Sequence, residues 1–378
     1  MDFQLNDEQR LIQQTARDFA EKEIYPASAE HDKEERWPAE LHKSALELGL
    51  MNVTIPEAYG GPGLGCMENV IITEQLAWGC VGVSAGMLLN SVPAEVLIGG
   101  GNEEQKQTYL RRLVKGEYAA YAVTEPVAGS DVAGIQTRAV RKGDEYVLNG
   151  SKIWITNANH CSFLVILAKT DPSAGHRGIS FFIVERDTPG LEVGNHLPKM
   201  GQRASYAAEV FMNDVVIHKS ALIGNESDGF KIAMKAFDGS RPMVAAFAVG
   251  HMQRCLDLSL AYAKERKTFG KPIIEHQAIA HKIADMEIRL QASRLMVYQS
   301  AWLFDTGKRN TLQASCAKAF ACDSAMWAAT EAMQIYGSYG YSREFPVEKL
   351  FRDAKVLQIY EGTSEIQRNI IARELMNR

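Results

Sequence analysis

The sequence predicts a mainly helical α+β chain in which a β region, residues 119–225, separates two helical regions, 1–118 and 226–378. Three patterns carry that expectation. Apolar residues recur at helical spacing near the start, short alternating runs fill the middle, and long alanine- and methionine-rich helical patterns follow.

In the first region, Leu11, Ile12, Ala16, Phe19 and Ala20 predict one apolar face on a helix between Asp7 and Ile24, with Asn6 or Asp7 as N-cap. A second helical pattern runs from Pro38 to Leu50, and GGPGLG at 60–65 supplies a loop. In the middle region, EYVLNGSKIWIT contains Asn149-Gly150, which fits a two-residue hairpin turn because both residues tolerate positive φ. FLVILAKT, GISFFIVE and AAEVFMNDVVI read as further strands. Past residue 226, Ile279, Ile283, Met286 and Leu290 fall at helical spacing, Gly307 interrupts, and an alanine-rich helix runs from Thr311 toward Gly337. So many alanines and methionines imply close helix packing in a bundle. No fixed-period repeat and no low-complexity linker is present.

At 378 residues, 46% hydrophobic and 23% charged, the chain can bury a sizeable core in two or three domains or one large one. Its net charge of -5 is spread along the chain without a Lys/Arg block, so nucleic acid is not an expected partner. MDFQLNDEQR lacks a basic-then-apolar leader, and no uninterrupted apolar run reaches membrane-spanning length. The expectation is a cytoplasmic protein that leaves membranes alone, or a matrix protein if this is a processed form. The six cysteines show no C-x-x-C pair and no metal-ligand spacing, so buried thiols and no metal are expected. A dinucleotide fingerprint in strand-to-helix context, a P-loop, a G-x-S-x-G elbow and H-E-x-x-H are all missing, which disfavours nicotinamide Rossmann enzymes, NTPases and zinc hydrolases.

Four stretches remain. In YAVTEPVAGSDVAGI, 121–135, a strand opens into a loop of small residues that can approach a planar ring or a phosphate; a plain turn punctuated by Pro126 and Gly129 has the same composition. WIT at 154–156 brings an indole and a hydroxyl to a strand end, or simply packs a core. ERKTFGKP at 265–272 closes a helix with cations, as the helix dipole favours. QIYEGTSEIQ at 358–367 carries a capping box, Ser364-x-x-Gln367, and Glu365 in the first turn suits the dipole. Glu361 precedes the cap, so neither rule explains it.

Together with NGSKIWITN, MGQR, GFKIAMKAFDGSRP and FPVEKLFRDAK, these stretches stand in an order that resembles the acyl-CoA dehydrogenases, and most closely the medium-chain members, over essentially the whole chain. The resemblance implies an N-terminal helical domain, a middle β-barrel and a C-terminal four-helix bundle. It also implies FAD at a subunit interface of a homotetramer built as a dimer of dimers, an acyl-CoA substrate, and an electron-transferring flavoprotein as acceptor. By motif, Tyr121, Val123, Thr124, Gly129, Ser130, Trp154, Ile155 and Thr156 would line the flavin of their own subunit. Arg266, Lys267, Thr268, His276 and Gln277, with Gln334, Ile335, Tyr336, Gly337 and Ser338, would reach the neighbour's FAD, and Thr363, Ser364 and Glu365 would complete the site. Ser130, Asp238, Arg241, Arg309, Tyr360, Gly362 and Arg373 would hold the acyl-CoA.

Glu361 matches the family's catalytic base, which takes the α-proton of the thioester. Desolvation beside Tyr360 would raise its pKa and strengthen it as a base. In some relatives the base stands where this chain has Ser240, which cannot abstract the proton. Val127 in TEPxAGSD and Ser338 in place of a second glycine depart from the family pattern, and Ser338 is expected to crowd the flavin contact. The matching pocket wall, residues 82–94, offers Ser84, Met87, Leu88 and Leu89 and no cation, which disfavours a dicarboxylyl-CoA; Tyr360 favours a straight chain. An oxidase or flavin monooxygenase, an enoyl-CoA reductase and a non-catalytic flavoprotein scaffold are the rival readings.

Overall fold

The computed structural model describes residues 4–377. α1 (Asp7–Phe19) starts at Asn6, whose side chain accepts from Gln9 N at 2.8 Å while Gln9 Oε1 receives Asn6 N at 3.2 Å, a reciprocal capping box. The helix widens into a π turn at Ala20–Ile24 and continues as α2 (Tyr25–Lys33). Ala16, Phe19, Ala20 and Ile24 face inward, but Leu11 is 68% exposed, a departure from the expected apolar face. Leu11 shares its side of the helix with Thr15, Asp18 and Lys22, whereas the buried stripe follows Ile12.

α3 (Ala39–Glu47), α4 (Cys66–Leu88), α5 (Ser91–Gly100) and the short α6 (Glu103–Gln105) and α7 (Arg111–Val114) complete the first helical region. α4 is long and apolar enough to cross a membrane, but its apolar stretch lies inside the protein as a core helix. Its helical dihedrals break at Cys80 (φ -169°, ψ 118°).

The strands β1 (Ala119–Ala122), β2 (Arg138–Lys142), β3 (Glu145–Thr156), β4 (Phe163–Lys169), β5 (Ile179–Glu185), β6 (Leu191–His196), β7 (Ala207–His218) and β8 (Leu222–Ile223) form one sheet. Its ladder runs β6-β7-β3-β2-β4-β5-β8, with β1 alongside β4. Inward residues from both ends, Leu191 and Phe182 among them, share one core, so the sheet curls on itself. The barrel is an open one, since β6 and β8 do not pair.

The hairpin expected at Asn149-Gly150 is elsewhere. β2 and β3 turn at Gly143-Asp144, between the paired Lys142 and Glu145. Asn149 and Gly150 lie inside β3, where the register with β7 shifts. Gly150 adopts φ 149°, and a Cβ there would sit 2.5 Å from Thr137 Oγ1, so the glycine serves a bulge against β2's neighbour rather than a turn.

The second helical region holds α8 (Gly229–Glu265), the two-residue strands β9 (Lys267–Thr268) and β10 (Lys271–Pro272), α9 (Gln277–Asp305), α10 (Thr311–Tyr336), α11 (Val347–Lys355) and α12 (Ser364–Met376). Buried alanines of α10, including Ala317, Ala321, Ala325 and Ala328, join Met243, Val244 and Phe247 of α8 and Leu76 of α4 in one core. None of the six cysteines forms a disulfide, and all but the half-buried Cys316 are buried.

α11 ties the three regions together. Asp353 Oδ1 accepts from Gln202 N at 2.5 Å and Oδ2 from Lys349 Nζ at 2.6 Å. Arg352 reaches Asp32 Oδ2 at 2.7 Å and the Met200 carbonyl at 3.1 Å. An Arg352→Met variant leaves Asp32, 6% exposed, without its cation. The expected loss is about 3 kcal/mol, read as a fall of several degrees in Tm by calorimetry.

Candidate active site

Glu361 sits in a turn between α11 and α12 that few residues adopt. Its φ is 54°, and Gly362 follows at 89°, two left-handed residues in succession. The positive φ favours glycine, and a Cβ there would lie 2.6 Å from Gln367 Nε2 and push on that amide. Gln367 Nε2 donates to the carbonyls of Glu361 and Gly362, both at 3.2 Å, and Lys318 Nζ of α10 donates to the Gly362 carbonyl at 2.7 Å. The N–H groups of Glu361 and Gly362 find no backbone acceptor among the described residues.

The expected capping box shifts by one residue. Thr363 is the N-cap of α12, and its Oγ1 accepts from Ile366 N at 3.2 Å. Ser364 Oγ instead donates to Asp323 at 2.8 Å, and Gln367 serves the preceding turn. Two left-handed residues before Thr363 take the chain out of helical register, which leaves Gln367 facing those carbonyls.

The Glu361 carboxylate accepts from Ser240 Oγ of α8 at 3.0 Å. Burial raises the carboxyl above its ordinary value, while the Ser240 hydroxyl and the nearby charges of Arg241 and Lys318 pull it partly back. Arg241 is 4% exposed, its Nη1 is 3.6 Å from Asp238, and its guanidinium lies 5.3 Å from the Phe237 ring. Arg241 Nε and the buried Tyr121 hydroxyl have no hydrogen-bond partner among the described residues. Unsatisfied buried donors of this kind are available to a polar ligand atom.

Asp238 accepts from Thr311 Oγ1 at 2.9 Å, and Arg309 pairs with Glu374 at 2.7 Å. Arg373 adds positive field at Arg241, so Asp238, Arg241, Arg309 and Arg373 form one polar rim beside Glu361. On the pocket-wall stretch, Met87 and Leu88 are buried, and Ser84 spends its hydroxyl on the Cys80 carbonyl at 2.8 Å.

The small-residue loop after β1 is braced from beneath. Lys152 of β3 is fully buried and donates to Glu125 Oε1 at 2.7 Å and to the Val123 carbonyl at 3.0 Å. Glu125 also accepts from Gln136 N and Thr137 N. Burial pushes the Lys152 ammonium down to about 8, although Glu125 works against it. The sequence reading missed Lys152, Glu125 and Lys318. A lysine at a buried position of an alternating strand, and another inside an alanine-rich helix, were the available signals.

At the far end of β3, Trp154 adopts φ 61° and is 54% exposed, held by a register shift between Lys152 and Ile155. Ile153 N donates to the Thr124 carbonyl at 3.0 Å, which sets Trp154 to Thr156 beside the loop of Thr124 to Ser130. The hydroxyls of Thr124, Ser130 and Thr156 make no hydrogen bond among the described residues, and a Cβ at Gly129 would meet nothing within 4 Å.

A second group lies on the bundle. Arg266 caps the end of α8, forms no ion pair among the described residues and approaches the Tyr339 ring at 5.7 Å. Thr268 meets His276 at 3.2 Å, Gln277 opens α9, and Gln334 to Ser338 close α10 next to it. Ser338 is exposed and outside the left-handed region, so its replacement of glycine strains nothing. Free hydroxyls beside an exposed indole, together with an unneutralised guanidinium, are donors suited to a flavin dinucleotide with its ring and phosphates. No hydrogen bond, ion pair or ring contact joins the two groups among the described residues.

Comparison with known proteins matches three family descriptions along the chain: acyl-CoA dehydrogenase N-terminal domain over residues 6–117, middle domain over 120–215 and C-terminal domain over 227–376. The short-chain specific acyl-CoA dehydrogenase of Clostridium acetobutylicum is 42% identical over 99% of this chain and 100% of its own. Acryloyl-CoA reductase (NADH) of Anaerotignum propionicum is 42% identical over 100% and 97%. The solved structure of butyryl-CoA dehydrogenase from Megasphaera elsdenii superimposes with a TM-score of 0.97 at 40% identity, covering 100% of both chains. The chain belongs to the acyl-CoA dehydrogenase family, flavoprotein oxidoreductases that act on acyl-CoA with FAD as cofactor.

Proposed function

We propose that the protein catalyses α,β-dehydrogenation of a straight-chain, short- to medium-chain acyl-CoA to the trans-2-enoyl-CoA, with Glu361 as the base. The observation that carries this reading is the strained turn that delivers a desolvated carboxylate into a site lined by Tyr121, Ser240 and Arg241. The names of the relatives, butyryl, acryloyl and short-chain, favour the short end of the range.

Glu361 takes the α-proton of the thioester. Negative charge then grows on the thioester oxygen, and the Glu361 N–H, which has no backbone acceptor among the described residues, is free to donate to it. Bound FAD supplies the acceptor for the hydride that leaves the β-carbon. The rim of Asp238, Arg241, Arg309 and Arg373, with Ser130 and Gly362, holds the CoA portion, and Arg241 keeps positive field beside the reacting carboxylate. Tyr360, packed against the core, restricts branching near the reacting carbons.

Thr124, Gly129, Ser130, Trp154 and Thr156 face the flavin of their own subunit. Arg266, Thr268, His276, Gln277 and the Gln334–Ser338 turn face that of a neighbour, and Thr363 to Glu365 complete the site. The lack of any hydrogen bond, ion pair or ring contact between these groups among the described residues is consistent with a site shared between copies in a homotetramer. The electron acceptor is an electron-transferring flavoprotein. A second reading, enoyl-CoA reduction on the same residues, is favoured by the relative named acryloyl-CoA reductase.

Anaerobic titration of the yellow holoenzyme with saturated acyl-CoAs from four to sixteen carbons tests the reaction class; bleaching of the flavin with a short-chain range supports it, and no bleaching with any chain contradicts it. Glu361→Gln is expected to keep FAD and acyl-CoA binding while flavin reduction slows about 10³-fold in stopped flow. The base acts only when ionised, so the wild-type rate should rise with pH and level off above a midpoint higher than that of an ordinary glutamate. Ser240→Ala removes a hydrogen bond that favours the carboxylate, and the midpoint should move upward by roughly half to one unit.

A further inference from the structure

Lys318 carries a buried charge to a place that offers it no carboxylate. It is fully buried in α10, and no acidic group lies within ion-pair distance among the described residues. An ammonium so placed costs stability, and an apolar residue would pack α10 better. What it touches is the carbonyl next to Glu361: Nζ donates to Gly362 O at 2.7 Å. From the other side Gln367, also fully buried, donates to the carbonyls of Glu361 and Gly362. The Gly362 carbonyl is thus held from α10 and α12 and the Glu361 carbonyl from α12, while the Glu361 carboxylate accepts from Ser240 on α8.

We propose that Lys318 is a positioning residue for the base: its ammonium clamps the left-handed Glu361–Gly362 turn and its charge favours the ionised carboxylate. This rests on Glu361 being the base. The groups that act on that carboxylate come from several elements. Ser240 and Arg241 approach from α8, Tyr121 from β1, Lys318 from α10, where Cys322 and Asp323 act in turn on the ammonium, and Gln367 holds the turn from α12. Lys318 is the one cation among them that also bonds the turn itself. Removing it therefore loosens the turn and raises the carboxyl, whereas losing Gln367 only loosens.

Two readouts separate these effects. Hydrogen exchange of the segment 358–367 reports the clamp without reference to chemistry. An acyl-CoA with sulfur in place of the β-carbon reports the charge. Its α-proton can leave but it has no β-hydride to give, and its anion against oxidised flavin absorbs at long wavelength, so the pH midpoint of that band reads proton removal. In Lys318→Met holoenzyme, exchange of the segment should accelerate at least about tenfold and the midpoint should rise by about one pH unit. Reduction by saturated acyl-CoA should slow by about 10- to 100-fold. Lys318→Arg should restore the midpoint. Lys318→Gln keeps a donor without charge and serves if the apolar variant does not fold; it should protect the segment yet still raise the midpoint. An unchanged exchange rate in Lys318→Met, or an unchanged midpoint in Lys318→Gln, overturns the proposal. If Glu361→Gln gives the band as wild type does, the base assignment fails, and the exchange experiment still decides the clamp.

Discussion

The site depends on one short piece of backbone, the pair of left-handed residues at Glu361 and Gly362. A glutamate at φ 54° is uncommon and costs on the order of 1 kcal/mol or more, so it persists only where surroundings hold it. Here they do so from three helices. α10 supplies Lys318, α12 supplies Gln367 and its Thr363 cap, and α8 supplies the Ser240 hydroxyl that receives the carboxylate. The glycine is favoured chiefly by its dihedral, and a Cβ there would also displace the Gln367 amide that holds the turn.

That turn is useful only if the middle domain stands opposite it. Two buried charge networks arrange this. Lys152 and Glu125 brace the loop that carries Thr124 and Ser130, and Asp353 with Arg352 fixes the Met200–Gln202 segment and Asp32 against α11, which a short 3-10 turn joins to the Glu361 segment. Buried ion pairs of this kind contribute little net stability but strongly disfavour any arrangement in which one partner is left alone. The Arg352 and Asp353 network joins the regions to one another, while the Lys152–Glu125 pair fixes a loop within the middle region.

Much of this was legible in the residues. The order of helix, strand and helix followed from periodicity, and Glu361 stood out because it preceded a helix cap without serving it. Local punctuation was less informative. Asn149-Gly150 carries a hairpin signature, but Gly143-Asp144 makes the turn and the glycine serves a bulge that only the sheet register reveals. Ser364 and Gln367 spell a capping box, yet the left-handed turn before them moves the cap to Thr363. Lys318 showed only as a lysine inside an alanine-rich helix; its partner is a carbonyl 44 residues away, and main-chain groups leave no mark in a sequence. The closeness to medium-chain enzymes rested on motifs shared across the family, and pocket depth depends on packing that motifs do not encode.

The most direct measurement follows the α-proton itself. The holoenzyme is incubated in D2O with the β-sulfur acyl-CoA, and the ligand is weighed by mass spectrometry. If Glu361 is the base, wild type places deuterium at the α-carbon within seconds to minutes and Glu361→Gln leaves the ligand unlabelled. Equal labelling by both would show that another group removes the proton, and would contradict the account built on this turn.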